Sequence, residues 1–384
     1  MFQKLLVLVF VLLIGCGPKY LKKTALLAYA CRVEKAEKDS ISLLDKLGLP
    51  ASMIANRTGI YSLENGGESF VIRNWLFENA QKTLDIQYYM FLRDKTGLIC
   101  ADYIVRAADR GVKIRILLDD ATAKNGSHEI YALDAHANID IKVYNPGVKL
   151  GSVFMRVKKL FTTPWHFHRR MHNKTLTADG EVAISGGRNI ADEYFDYDHR
   201  YNFRDRDVFI VGRSVKAVTA SFEDFWNSEL SVPYKDLSKK TQARNFDRLH
   251  AYVCDERNYS AEMKNKVKNF PARFKTLAAE FVWVNNVSFV SDMPGKNENK
   301  KNHEGGICKD SLYAVLKRAK KTVDIQSSYL IVNDEQEKVL TDLVKRGVKV
   351  RILTNSLCSI DNIEAFSGYQ RDREMILNTG IEVL

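Results

Sequence analysis

Apolar positions along this chain fall into two regimes. The first is a single block: Leu5 to Ile14 is ten apolar residues in a row behind one cation, Lys4. That run is too short to span a bilayer comfortably as a helix and reads as a signal peptide over residues 1–16. The other reading is a short uncleaved anchor. Residues 17–66 form a lead-in, with helical spacing from Thr24 to Leu47 and a turn at Asn65-Gly66-Gly67. A regular alternation of helical and strand patterns then sets in. Phe70 to Ala80 is helical in spacing. Thr83 to Phe91 alternates apolar and polar and predicts a strand. Ala101 to Arg110 is helical again, and Val112 to Leu118 predicts a buried strand ending in Asp119-Asp120.

The same rhythm returns near the end. Ala80-Gln-Lys-Thr-Leu-Asp-Ile-Gln87 matches Ala319-Lys-Lys-Thr-Val-Asp-Ile-Gln326 at an offset of 239. Arg110-Gly-Val-Lys-Ile-Arg-Ile-Leu117 matches Arg346-Gly-Val-Lys-Val-Arg-Ile-Leu353 at an offset of 236. Asn138–Tyr144 likewise corresponds to Asn378–Leu384 at 240. Octapeptides recurring at nearly one spacing indicate an internal duplication with a unit far longer than any solenoid repeat. The chain therefore divides into a first repeat over 67–290 and a partial second repeat over 291–384. The expected fold class is α/β: duplicated mixed sheets flanked by helices, the second repeat incomplete.

Composition narrows the chemistry. An apolar fraction of 45% supplies a core and argues against disorder. A net charge of +11 suits anionic partners: phospholipid headgroups, nucleic acid or phosphate esters. Six cysteines at 16, 31, 100, 254, 308 and 358 show neither a CxxC pair nor zinc-finger spacing.

The densest chemistry lies between the repeats' matched segments. His172, Lys174, Asp179, Gly186, Gly187 and Asn189 follow the spacing HxKx4Dx6GGxN. Lys174 to Ala178 reads as a short strand, Asp179-Gly180 as a turn and Val182 to Ser185 as a returning strand. Residues two apart on a strand share a face, so His172 and Lys174 can point into one site. An imidazole moves protons near neutral pH or attacks phosphorus itself, and an ammonium group binds a phosphate oxygen.

This pattern resembles the HKD signature of the phospholipase D superfamily, and the resemblance covers nearly the whole chain after residue 60. The superfamily usually has Ser where Gly187 stands, so one hydroxyl donor is missing. Gly186-Gly-Arg-Asn189 followed by Ile190-Ala-Asp-Glu-Tyr-Phe195, together with Phe203–Val208, Phe222–Ser228 and Ser291–Lys296, is similar to lipoprotein-type bacterial cardiolipin synthases. Leu13-Ile14-Gly15-Cys16 resembles the lipobox, which implies lipidation at Cys16 and a membrane anchor facing the periplasm.

The resemblance implies a catalytic set of His172, Lys174 and Asp179. His172 is then the nucleophile that forms a phosphohistidine, and Lys174 and Asn189 hold phosphate oxygens. Asp179 supports local hydrogen bonds, and no cofactor or metal is called for. The implied substrate is an anionic phospholipid at a membrane surface. A second motif would supply the general acid. The repeat offset puts its histidine near residue 410, beyond Leu384, so the second repeat is expected to lack it. A homodimer or a partner chain would then provide the second motif.

Other readings stay open. A periplasmic phosphodiesterase acting on phospholipid or nucleic acid is one, and a non-catalytic partner of an intact paralogue is another; the lipobox favours lipid over nucleic acid. His166, His168 and His172 form HxHx3H, which suggests zinc, but the further ligands that such a site needs are missing from the sequence. Residues 153–171 mix basic and aromatic side chains and suit membrane contact, packing on their own domain, or single-stranded nucleic acid. Asp119 and Asp120 end a strand, where they line a pocket or cap a helix. Trp226 reads as core.

Overall fold

The computed structural model describes residues 41–49, 51–125, 128–146, 170–197, 201–237, 246–296 and 306–384. Cys16, most of the Thr24–Leu47 segment, and residues 153–169 with His166 and His168 lie outside them. The chain divides into two compact units: Met1–Phe289 with Met293–Glu298, and Val290–Asp292 with Asn299–Leu384.

In the first unit the described residues build a nine-stranded mixed sheet. Its strands are β1 (Thr58–Leu63), β2 (Thr83–Tyr88), β3 (Lys113–Asp119), β4 (Ile139–Tyr144), β5 (Thr175–Ala178), β6 (Val182–Gly186), β7 (Asp207–Gly212), β8 (Ser231–Pro233) and β9 (Val282–Val284). Their order is β8-β4-β3-β2-β5-β6-β7-β1-β9. β2, β3 and β4 are parallel, and the remaining pairings are antiparallel.

Helix α1 (Gly66–Asn79) is the first crossover and α2 (Lys95–Asp109) the next. The turn expected at Asn65-Gly66-Gly67 is instead the start of α1. The Asn65 side chain accepts from Glu68 N at 3.1 Å, satisfying a free helix-end donor, and both glycines sit inside the first turn. A Cβ at Gly66 would press on Tyr194 O and the Phe195 backbone, so the small residue serves a close approach. Helix α2 begins six residues earlier than the spacing suggested, because Asp94 caps Gly97 N at 2.9 Å.

Strand periodicity sends side chains to opposite faces. Ile114, Ile116 and Leu118 of β3, Val182 and Ile184 of β6, and Phe209 and Val211 of β7 join the main core with α1 and α2. Leu117, Ala183 and Ile210 face the other way, under helix α3 (Val215–Trp226). Trp226 is partly buried against that second layer, with Lys142 Nζ 4.7 Å from its ring centroid.

The second unit repeats the parallel part on a smaller scale. β10 (Thr322–Gln326), β11 (Lys349–Leu353) and β12 (Glu382–Val383) lie parallel, with helices α4 (Ile307–Lys317), α5 (Asp334–Lys345) and α6 (Ile363–Asn378). The duplication is visible residue by residue. Asp85 pairs with Arg115 across β2 and β3, with Nε to Oδ1 at 2.7 Å, and Asp324 pairs with Arg351 across β10 and β11 at the same distance. In the first unit, α3 covers this pair: Glu223 accepts from Arg115 at 2.6 Å, and Phe222 and Trp226 lie against the guanidinium. In the second unit Asp324, Arg351 and Leu353 are exposed, so the equivalent sheet face has no such cover among the described residues.

One charge cluster locks the site half of the first sheet. Asp207, fully buried at the start of β7, accepts from Arg73 of α1 at 2.8 Å, from Ser69 at 2.8 Å and from Arg188 at 3.3 Å. Arg188 also donates to Leu63 O and Glu64 O. Removing the one carboxylate leaves two buried guanidinium groups uncompensated. Asp207→Ala should lower the stability of this unit by about 3–5 kcal/mol, read from denaturant unfolding; a loss below about 1 kcal/mol would mean that the cluster does not hold the fold together.

Candidate active site

The motif residues follow from how β5 enters the sheet. Gln87, buried in β2, holds the segment on both sides of the motif. It donates to Met171 Sδ at 3.1 Å and accepts from Thr175 Oγ1 at 3.1 Å. Between those anchors His172 and Lys174 point the same way, as period-two spacing predicts. Lys174 Nζ lies 3.3 Å from His172 Nδ1 and donates to His172 O at 2.8 Å. Lys174 is buried at 5% exposure, whereas His172 is open on one side. Tyr89, just after β2, closes the other wall, its ring centroid 4.8 Å from that of His172 and 5.7 Å from Lys174 Nζ.

The electrostatics give the two groups different charge states. Desolvation, then the Lys174 and Lys296 cations, hold the His172 pKa down at about 4, so the ring is neutral at pH 7. Desolvation also lowers Lys174, to about 8, against the attraction of Asp205 and Asp207, so the ammonium stays charged at pH 7. A neutral imidazole beside a cation has the chemistry to serve as a nucleophile next to an anion-binding group.

Asp179 stands at the other end of β5, roughly 16 Å along the strand from Lys174. It adopts φ 54 beside Gly180 at φ 68. Its carboxylate accepts from Gln81 N, Lys82 N and Thr83 N at 2.9, 2.7 and 2.9 Å. This fixes the β5–β6 turn to the start of β2, so Asp179 is a positioning residue and not part of the reacting end.

Asn189 is buried and mostly occupied. Its Oδ1 accepts from Met90 N at 3.1 Å and its Nδ2 donates to Tyr194 Oη at 3.0 Å. The amide thus ties the Gly186–Asn189 turn to the loop that carries Tyr89, and its second N–H has no partner among the described residues. Ile190 N to Met90 O at 3.2 Å and Leu92 N to Ile190 O at 2.9 Å extend the same clamp.

Asp119, one of the two strand-end aspartates, belongs to this machinery. It is fully buried, accepts from Met171 N at 2.9 Å and from Arg170 Nη1 at 3.1 Å, and caps Ala121 N at 2.9 Å. It therefore fixes the backbone immediately before His172. Burial raises its pKa to about 6, with Arg170 opposing. Strand-end position alone hinted at Asp119; its partner Arg170 is 51 positions away in sequence and carried no signal. No cluster of three or more potential metal ligands occurs among the described residues.

With this geometry in view, relatives identify the family. Residues 75–226 match the model described as cardiolipin synthase, PLD-like domain. Cardiolipin synthase C of Escherichia coli is 31% identical over 329 residues, covering 85% of this chain and 68% of that protein. An uncharacterised protein of Helicobacter pylori is 32% identical over 332 residues, covering 85% of this chain and 65% of its own length. The phosphatidylserine synthase structure from Haemophilus influenzae aligns with a TM-score of 0.49 at 15% identity, covering 80% of this chain and 66% of that one. The chain is a phospholipase D-like protein and belongs to the cardiolipin synthase family. It spans about two thirds of the length of the curated relatives it matches.

Removing the neighbouring charge should release part of the imidazole shift. In Lys174→Met the His172 ring should titrate above the wild-type midpoint near 4, while burial keeps it below an ordinary histidine. Ring-proton NMR reads this directly; an unchanged midpoint would show that the lysine does not set the ring's charge.

Proposed function

We propose that this chain carries a phosphatidyl-transfer site, acting on an anionic phospholipid at a membrane surface to make cardiolipin. The observation that carries the reading is the neutral His172 ring beside the charged Lys174, in a member of the cardiolipin synthase family. A phosphodiester between them draws the Lys174 hydrogen bonds onto its oxygens and exposes phosphorus to the deprotonated ring nitrogen. A P–N bond forms and the P–O bond to the leaving glycerol breaks; the leaving alkoxide takes a proton. In the second step the hydroxyl of another lipid attacks phosphorus, the P–N bond breaks, and that hydroxyl's proton leaves. Lys174 stabilises the charge spread over the phosphoryl oxygens in both steps, as does the remaining N–H of Asn189.

His172 is too acidic an imidazolium to deliver the proton at pH 7, so that proton comes from elsewhere. A second HKD motif, as the superfamily resemblance implies, would fill this role. Lipidation at Cys16 would hold the site beside bilayer substrate on the periplasmic side of the envelope.

Labelled phosphatidylglycerol in vesicles tests the reading. Product should appear as labelled cardiolipin with free glycerol, and His172→Ala should lose it by at least about a thousandfold. The rate should fall below pH 4 as His172 gains a proton, and above pH 8 as Lys174 loses its charge. Cleavage of single-stranded DNA with lipid left untouched would instead make the chain a nucleic-acid phosphodiesterase.

A further inference from the structure

A histidine nucleophile needs its ring aimed as well as neutral. The torsion that turns an imidazole about its Cβ–Cγ bond is soft, so a ring open on one side does not hold one direction by itself. Lys174 meets the His172 ring at Nδ1, 3.3 Å away. Tyr89 meets it from a different element, with ring centroids 4.8 Å apart and the two planes inclined at 57°. The same aromatic ring lies 5.7 Å from Lys174 Nζ, within the range at which a cation is drawn to a π face. Tyr89 therefore spans both members of the pair, and both contacts belong to its ring rather than to its hydroxyl.

The fold explains why this side chain stands there. Leu84, Ile86 and Tyr88 of β2 point into the main core, so Asp85, Gln87 and then Tyr89 alternate to the other face. Gln87 holds the motif segment, and Tyr89 is the next residue along on that face. The backbone around it is pinned on both sides. Thr122 Oγ1 donates to Tyr89 O at 3.1 Å, Met90 N donates to Asn189 Oδ1 at 3.1 Å, and Tyr88 Oη accepts from the buried Arg73 Nε at 3.0 Å. The ring is thus a fixed wall on a rigid strand end, against which the softer imidazole rests.

We propose that Tyr89 is a positioning residue, whose ring holds the His172 imidazole in the orientation that attacks phosphorus and keeps Lys174 beside it. This rests on His172 being the nucleophile. The test compares Tyr89→Leu, which keeps an apolar side chain but removes the aromatic ring, with Tyr89→Phe, which keeps the ring and removes the hydroxyl. Phosphatidylglycerol labelled at phosphorus is mixed with the full chain, and label on the protein is followed within the first turnover. Tyr89→Leu should slow its appearance by about tenfold to a hundredfold, as a misaimed reacting group does, with KM within about twofold of wild type. Tyr89→Phe should restore the wild-type rate. The His172 ring protons, identified by their absence in His172→Gln, should lose their aromatic ring-current shift in Tyr89→Leu and keep it in Tyr89→Phe. A wild-type labelling rate in Tyr89→Leu overturns the proposal. So does a Tyr89→Phe rate as low as that of Tyr89→Leu with circular dichroism unchanged, which would give the role to the hydroxyl. Absence of label from the wild-type chain defeats the phosphatidyl-transfer reading and this role with it, whereas label undiminished in Tyr89→Leu defeats this role alone.

Discussion

An ammonium group buried 3.3 Å from an imidazole is the contact on which the rest of this structure depends. Two bases so close cannot both carry a proton cheaply. The fold settles the competition in favour of lysine. The charges of Asp205 and Asp207 favour the Lys174 cation, whereas the charges that reach His172, on Lys174 and Lys296, are both positive. The outcome is a free ring lone pair next to a fixed positive charge, which is what attack on an anionic phosphodiester requires.

Holding that pair takes an apparatus much larger than the motif. Gln87 grips the segment before and after it, Asp119 fixes Arg170 and Met171 ahead of it, and Asp179 fastens the far turn to the start of β2. Asp207 binds α1, the β7 entry and Arg188 into one buried cluster, and Asn189 clamps the Tyr89 loop against the same turn. Each uses a charged or amide group whose hydrogen bonds are spent on backbone or buried partners. Such groups specify geometry because an unpaired one is costly.

Sequence reasoning reached the strands, the duplication and the His172–Lys174 pair, because period-two alternation and fixed spacing are local signals. The paired Asp85–Arg115 and Asp324–Arg351 contacts sit within the octapeptides that revealed the repeat. It missed what depends on distant partners. Asp207 meets Arg73 across 134 positions, and nothing in Phe203–Val208 announces that its two aspartates do different jobs. Asn65-Gly66-Gly67 looks like a turn in sequence because Gly-rich strings break helices, whereas the Asn side chain caps one and close packing on residues 194–195 calls for the glycine. The absent hydroxyl at Gly187 is visible as a departure in sequence, whereas the Asp205 carboxylate that lies where a Cβ would stand is not.

The claim that His172 is the nucleophile is tested most directly by trapping the bond it forms. The chain is mixed with phosphatidylglycerol labelled at phosphorus, quenched in denaturant within the first turnover, and the protein is examined for bound label. The account predicts label on the wild-type chain that survives base and is released by acid, as a phosphoramidate is, and none on His172→Gln. Unlabelled wild-type protein in a preparation that makes cardiolipin, or equal label on the glutamine variant, would contradict it.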